Sequence, residues 1–178
     1  MPMKKLAQLV SVLLPLAWLL AGCTPIDKRL AQYPIAQESY PALVKIVDYL
    51  QARGYRLVYY VSSKEIVVVY EDDLGSARKQ LHRQPLKSPH ADKLVSFINQ
   101  IPLTALNERY VNPEINDGLV MWFDFALPNR PRKVIEIRNM RQQQLFELTE
   151  RINAALPRKF WIRRPRPAVK GTATYVGK

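Results

Sequence analysis

The sequence predicts an α+β domain: an antiparallel sheet of about four strands in two hairpins, with helices packed on one face and the element order αββαββα. Three observations carry this. Three segments repeat apolar residues at helical spacing. Two pairs of segments alternate, or run apolar, at strand length. A short polar or proline-rich link joins each pair.

The first helix is expected over Pro41–Arg53. Leu43, Ile46, Val47 and Leu50 fall at i, i+3, i+4 and i+7, Pro41 suits a first turn, and Gly54 suits a stop. Two strands follow. In Tyr55–Val61, residues Tyr55, Leu57, Tyr59 and Val61 alternate against Arg56, Val58 and Tyr60. Glu65–Glu71 is β-branched through Ile66, Val67, Val68 and Val69, apolar on both faces, as in a doubly covered strand. Ser62-Ser63-Lys64 is a hairpin-length link. Residues 72–88 give less pattern, with room for a short helix near Leu74–Leu81. A second helix opens at Ser88-Pro89, buries Leu94, Phe97, Ile98 and Ile101, and stops at Pro102. A second hairpin spans 119–138: Met121, Phe123 and Phe125 alternate with Trp122 and Asp124, and Ile135 and Ile137 with Glu136 and Arg138. Asn139 is placed to cap a final helix of 140–156, with Leu145, Leu148, Ile152 and Leu156 on its apolar face.

Ahead of these elements lies a different pattern. Lys4 and Lys5 precede an apolar stretch, Leu9–Leu20, broken by Ser11 and Pro15 and followed by small residues. This is secretory-signal architecture, too short for a bilayer core that needs about 20 apolar residues. Leu20-Ala21-Gly22-Cys23 resembles the lipobox of bacterial lipoprotein precursors. The resemblance implies cleavage before Cys23, a diacylglycerol thioether on its thiol and an acyl chain on its new amino group. Cys23 is the only cysteine in the chain, consistent with a thioether rather than a disulfide. Several acyl chains at about 0.8 kcal/mol per buried CH₂ anchor a protein stably. Thr24, where aspartate would favour the inner membrane in the enterobacterial rule, implies the outer membrane with the body facing the periplasm.

Removing residues 1–22 from the 178 leaves 156, one domain of ordinary size. The net charge of +12 falls to +10 with the loss of Lys4 and Lys5. Such a surplus favours anionic partners, and the compartment disfavours nucleic acid. The organisation expected is a signal peptide (1–22), an acylated cysteine and tether (23–40), a single periplasmic α+β domain (41–162) and a basic, flexible tail (163–178). Arg158, Lys159, Arg163, Arg164, Arg166, Lys170 and Lys178 carry the C-terminal charge, with Phe160 and Trp161 interleaved. Arginine with aromatic residues suits an interface with lipid or protein. A second basic stretch runs through Arg78, Lys79, Arg83 and Lys87.

Catalytic patterns are sparse. No serine sits in a Gly-x-Ser-x-Gly elbow, and there is no Gly-rich phosphate loop. His82, His90 and Asp92 match no zinc spacing. Glu114, Asp117 and Asp124 are the acids a glycosidase pair would draw on, although Asn112-Pro113 and Asn116-Asp117-Gly118 read as turn chemistry. The expectation is therefore a non-enzymatic, cofactor-free, lipid-anchored protein. It binds an envelope partner, for which the positive surplus favours an acidic protein, as an assembly subunit or as an immunity protein against a toxin. The candidate surface is the C-terminal basic-aromatic run together with Tyr60 and Trp122, which lie opposite the core face. The alternatives are binding of anionic lipid or glycan, and an envelope hydrolase using Asp117 and Asp124.

Overall fold

A computed structural model describes residues 30–50, 54–74, 77–113, 115 and 118–164. The chain divides into two units, residues 1–34 and 35–178. In the first, the described residues form a turn in which the Tyr33 N–H donates to the Leu30 carbonyl at 3.0 Å. All the strands and helices named below belong to the second.

Seven strands form one mixed sheet: β1 (Val44–Leu50), β2 (Tyr55–Val61), β3 (Glu65–Asp72), β4 (Arg78–Pro85), β5 (Arg109–Val111), β6 (Leu119–Phe125) and β7 (Lys133–Arg138). Their spatial order is β4-β3-β2-β1-β6-β7-β5. Neighbours are antiparallel except β5, which runs parallel to β7. Helices α1 (His90–Gln100) and α2 (Gln143–Asn153) follow β4 and β7.

This corrects the expected four-stranded antiparallel sheet and its αββαββα order. The first predicted helix is the central strand. Val44, Ile46 and Asp48 are each fully buried on one face of β1, with Lys45, Val47 and Tyr49 on the other. The run Val-Lys-Ile-Val-Asp-Tyr-Leu satisfies both the helical and the strand period. Its β-branched residues and two strand neighbours, β2 and β6, decide for strand. The possible helix at 74–81 gives way to β4, an edge strand whose Arg78, Lys79 and Arg83 fit the charged character of protected edges. The short β5 completes the sheet from a segment with too few residues to show a period.

The β2–β3 hairpin closes on Ser62, whose Oγ accepts from the Glu65 N–H at 3.0 Å and donates to the Glu65 carbonyl. Between β2 and β4, strand β3 is covered on both faces, and Ile66 to Val69 are at most 1% exposed. Asn139 does not cap α2. It sits at φ 51° and its side chain accepts from the Leu119 N–H at 2.9 Å, beside Gly118, where a Cβ would collide with it. The cap is Gln142, which accepts from the Leu145 N–H at 2.8 Å.

Both helices bury one face against the same side of the sheet. Leu94, Ile98, Leu145, Leu148 and Ile152 join Ile46, Tyr59, Val68, Phe123 and Ile135 in the main core. A smaller cluster lies on the opposite side: Ala36 and Tyr40 against Val58, Tyr60, Val67 and Val69.

Candidate functional site

After α2 the chain turns through Arg158–Phe160 and crosses the helix side of the sheet. Phe160 is 6% exposed and stacks on His82 of β4, with ring centroids 4.7 Å apart. Ile162 is buried, and its main chain is held twice by Asn153: its N–H donates to Oδ1 at 2.7 Å, and its carbonyl accepts from Nδ2 at 3.1 Å. Arg163 then reaches the centre of the sheet. Its Nε donates to Asp48 Oδ1 at 3.0 Å, its main-chain N–H to Oδ2 at 3.1 Å, and its Nη2 to the Asp48 carbonyl at 3.2 Å. The Asp48 side chain is fully buried and that of Arg163 is 26% exposed. Near this pair, burial and, secondarily, the Asp48 charge push the Tyr59 hydroxyl far above its ordinary pKa.

The expected binding run therefore divides. Phe160 and Arg163 hold the domain together. Arg164 pairs with Glu150 at 2.7 Å. Trp161 is half-buried and donates from Nε1 to the Leu156 carbonyl at 2.9 Å. Arg158 and Lys159 remain exposed, 5.4 Å from the Trp161 ring and 4.8 Å from the Phe160 ring. Arg166 lies outside the described residues, as do Leu20, Ala21, Gly22 and Cys23. The segment 163–178, expected as a flexible tail, starts with a residue anchored in the core.

Tyr60 and Trp122 share the face away from the helices, yet differ in surroundings. Tyr60 is 4% exposed, its ring 5.1 Å from that of Tyr40, and it accepts from Arg78 Nη2 at 3.1 Å. Trp122 is half-buried, 6.3 Å from the Tyr49 ring. Among the described residues, the segment packed on this face is 36–40, and its cluster reaches β2 and β3 with only Val47 from β1. Over β1, β6 and β7 the face presents Tyr49, Trp122 and Val134, the last 46% exposed. Charged pairs rim it: Arg132 with Asp124, and Arg138 and Arg109 with Glu136.

No known protein family, curated protein or solved structure matches the chain.

Geometry is thus the guide to chemistry. Asp124 is clamped by Arg132, whose Nε donates at 2.7 Å, and this holds its carboxyl below the usual carboxylate range. A carboxylate so held is a poor general acid. Glu114 and Asp117 lie outside the described residues. His82 is engaged with Phe160, while His90 opens α1. Among the described residues no three His, Cys, Asp or Glu come together as a metal site would need. A groove of about 700 Å³ lies between residues 99–104 and 130–133. Its cations are spent internally: Arg130 on the carbonyls of Asn99 and Ile101, Arg132 on Asp124, and Lys133 on Glu108.

Sequence reasoning missed Asp48 and Tyr49. The available signal was an acid inside an apolar run, which in a strand must face either water or a buried cation.

Proposed function

We propose that this chain is a lipid-anchored protein of the outer membrane whose periplasmic domain binds a protein partner, without catalysis, on the open part of its sheet. The anchor follows from Leu20-Ala21-Gly22-Cys23. The observation that supports the binding surface is the paired Tyr49 and Trp122, set on the interior strands β1 and β6 near exposed Val134 and ringed by charge. Tryptophan, tyrosine and arginine dominate binding hot spots, and a polar rim around an apolar centre is the anatomy of such interfaces. With +10 of side-chain charge on the mature chain, the complementary partner is acidic. An envelope assembly subunit and a periplasmic toxin neutralised by this protein both fit that description.

The test is recovery of the lipidated chain from crosslinked envelopes, washed at low and high salt, beside Trp122→Ala and Tyr49→Ala and a control, Lys93→Ala, on the exposed side of α1. One stoichiometric protein held by the parent and control chains and lost from both aromatic variants supports the reading, and its identity separates assembly from immunity. Equal capture by all four chains, or none, overturns it.

A further inference from the structure

The geometry points to a second surface: the β4 edge of the domain docks on anionic lipid headgroups of the bilayer that anchors the chain. This inference rests on the lipid-anchored reading above. Three observations converge on the edge. First, cations gather there from segments distant in sequence. Lys79 and Arg83 lie on β4. Lys64 and Lys87 meet at one end, where the Leu86 N–H donates to the Lys64 carbonyl at 2.8 Å. Phe160, stacked on His82, brings exposed Lys159 to the same edge, with Arg158 beside it. Glu65, paired with Arg83 at 3.4 Å, offsets only part of this charge.

Second, two of these cations, Arg158 and Lys159, are available. Arg158 and Lys159 lie over aromatic rings rather than against carboxylates, and such side chains combine an apolar stem or ring with a charged head, the arrangement suited to a bilayer interface. The cations of the 99–133 groove, in contrast, are all engaged.

Third, the domain starts at this edge. Ile35 bridges to Lys79, and the Ala36 N–H donates to the Arg78 carbonyl at 3.1 Å, so the chain leading from Cys23 joins the body beside the basic cluster. Eleven residues lie between Cys23 and Ile35, twelve chain steps with a reach of at most about 40 Å. A tether of that length lets this edge reach the headgroups, where an attraction that decays over about 10 Å at moderate salt can act on it. Ile35, 80% exposed, adds an apolar contact at the same place. Docked this way, the domain keeps β1, β6 and β7, on the other side of β2 and β3 in the sheet, for its protein partner.

The experiment reconstitutes the full chain, processed in its host, into vesicles of phosphatidylcholine alone or mixed with phosphatidylglycerol, with an acceptor dye on a headgroup. A donor is attached at Ser63→Cys, in the β2–β3 turn, or at Val134→Cys on β7. Energy transfer from position 63 is expected to be strong with phosphatidylglycerol, and weak without it or at high salt. Transfer from position 134 is expected to stay low throughout. Lys79→Ala, Arg83→Ala and Lys159→Ala should each shift the docked-to-undocked ratio by about fivefold. An anchored chain whose position-63 signal ignores lipid charge, or equals that at 134, overturns the docking alone. A chain that washes off both vesicles, or whose Cys23 takes a thiol reagent, overturns the anchored reading and this inference with it.

Discussion

Asp48 and Arg163, 115 residues apart in sequence, meet in the middle of the sheet, and the carboxylate there has no exposure to water. The pair ties the last described segment to the central strand. Removing one member leaves a buried charge uncompensated, which costs about 3–5 kcal/mol. Asp48→Ala and Arg163→Ala should each lower the unfolding free energy, read from urea denaturation, by about that amount. Asp48→Leu with Arg163→Met should recover much of it, because the desolvation of both charges disappears together. A double variant as unstable as the sum of the singles would show that the pair is not the link between the two segments.

Phe160 should behave as a core residue. It is buried against His82, and truncation to alanine removes a large apolar side chain at a cost of about 3–5 kcal/mol. Lys159→Ala, next to it but exposed, should change stability by less than about 0.5 kcal/mol. Chemical denaturation of the two variants separates the structural aromatic from its surface neighbour.

Asn153 satisfies both main-chain groups of Ile162. Asn153→Ala leaves a buried donor and a buried acceptor unpaired, each worth about 1–3 kcal/mol. Hydrogen exchange in residues 158–164 should speed up before that of the β1 and β6 amides. Uniform acceleration across the sheet would mean that this strap and the sheet open as one unit.

Asp124 gives the domain a pH-dependent contribution of known sign. Its folded pKa is lowered, first by the Arg132 hydrogen bond, so the stability it supplies is present above the unfolded value of about 3.9 and is lost as pH falls through the lower folded value. Asp124→Asn should therefore be less stable than the parent at neutral pH, with the gap closing below about pH 4. Arg132 is largely exposed, so the effect is small, and a gap constant with pH would remove the ion pair as its source.

At the alkaline end, the buried Tyr59 hydroxyl resists ionisation, and Tyr60 is raised as well, mainly by burial. The folded state disfavours tyrosinate at both positions. Their contribution is full below the unfolded value of about 10 and falls away at higher pH. Absorbance titration should show the last tyrosines ionising only as circular dichroism reports unfolding. Complete ionisation in a folded protein would contradict the burial of Tyr59.

How much of this was legible in the sequence follows the range of the interactions. The β2–β3 hairpin was readable because Ser62 and Glu65 close it within three residues and both strands carry their own apolar pattern. The faces of α1 and α2 were readable for the same reason: period and partner lie within one element. Neighbours beyond the local chain decided the rest. Val44–Leu50 fits two periods, and only pairing with β2 and β6 makes it a strand. Arg163 looks like one charge in a basic tail until Asp48 is placed beneath it, and Tyr60 looks exposed until Tyr40 covers it. Sequence determines the local conformational preferences and the lipobox-like pattern at residues 20–23, because these depend on residues a few positions apart. The tertiary structure alone decides which charges are buried and which aromatic side chains are covered, because those depend on partners that sequence distance does not reveal.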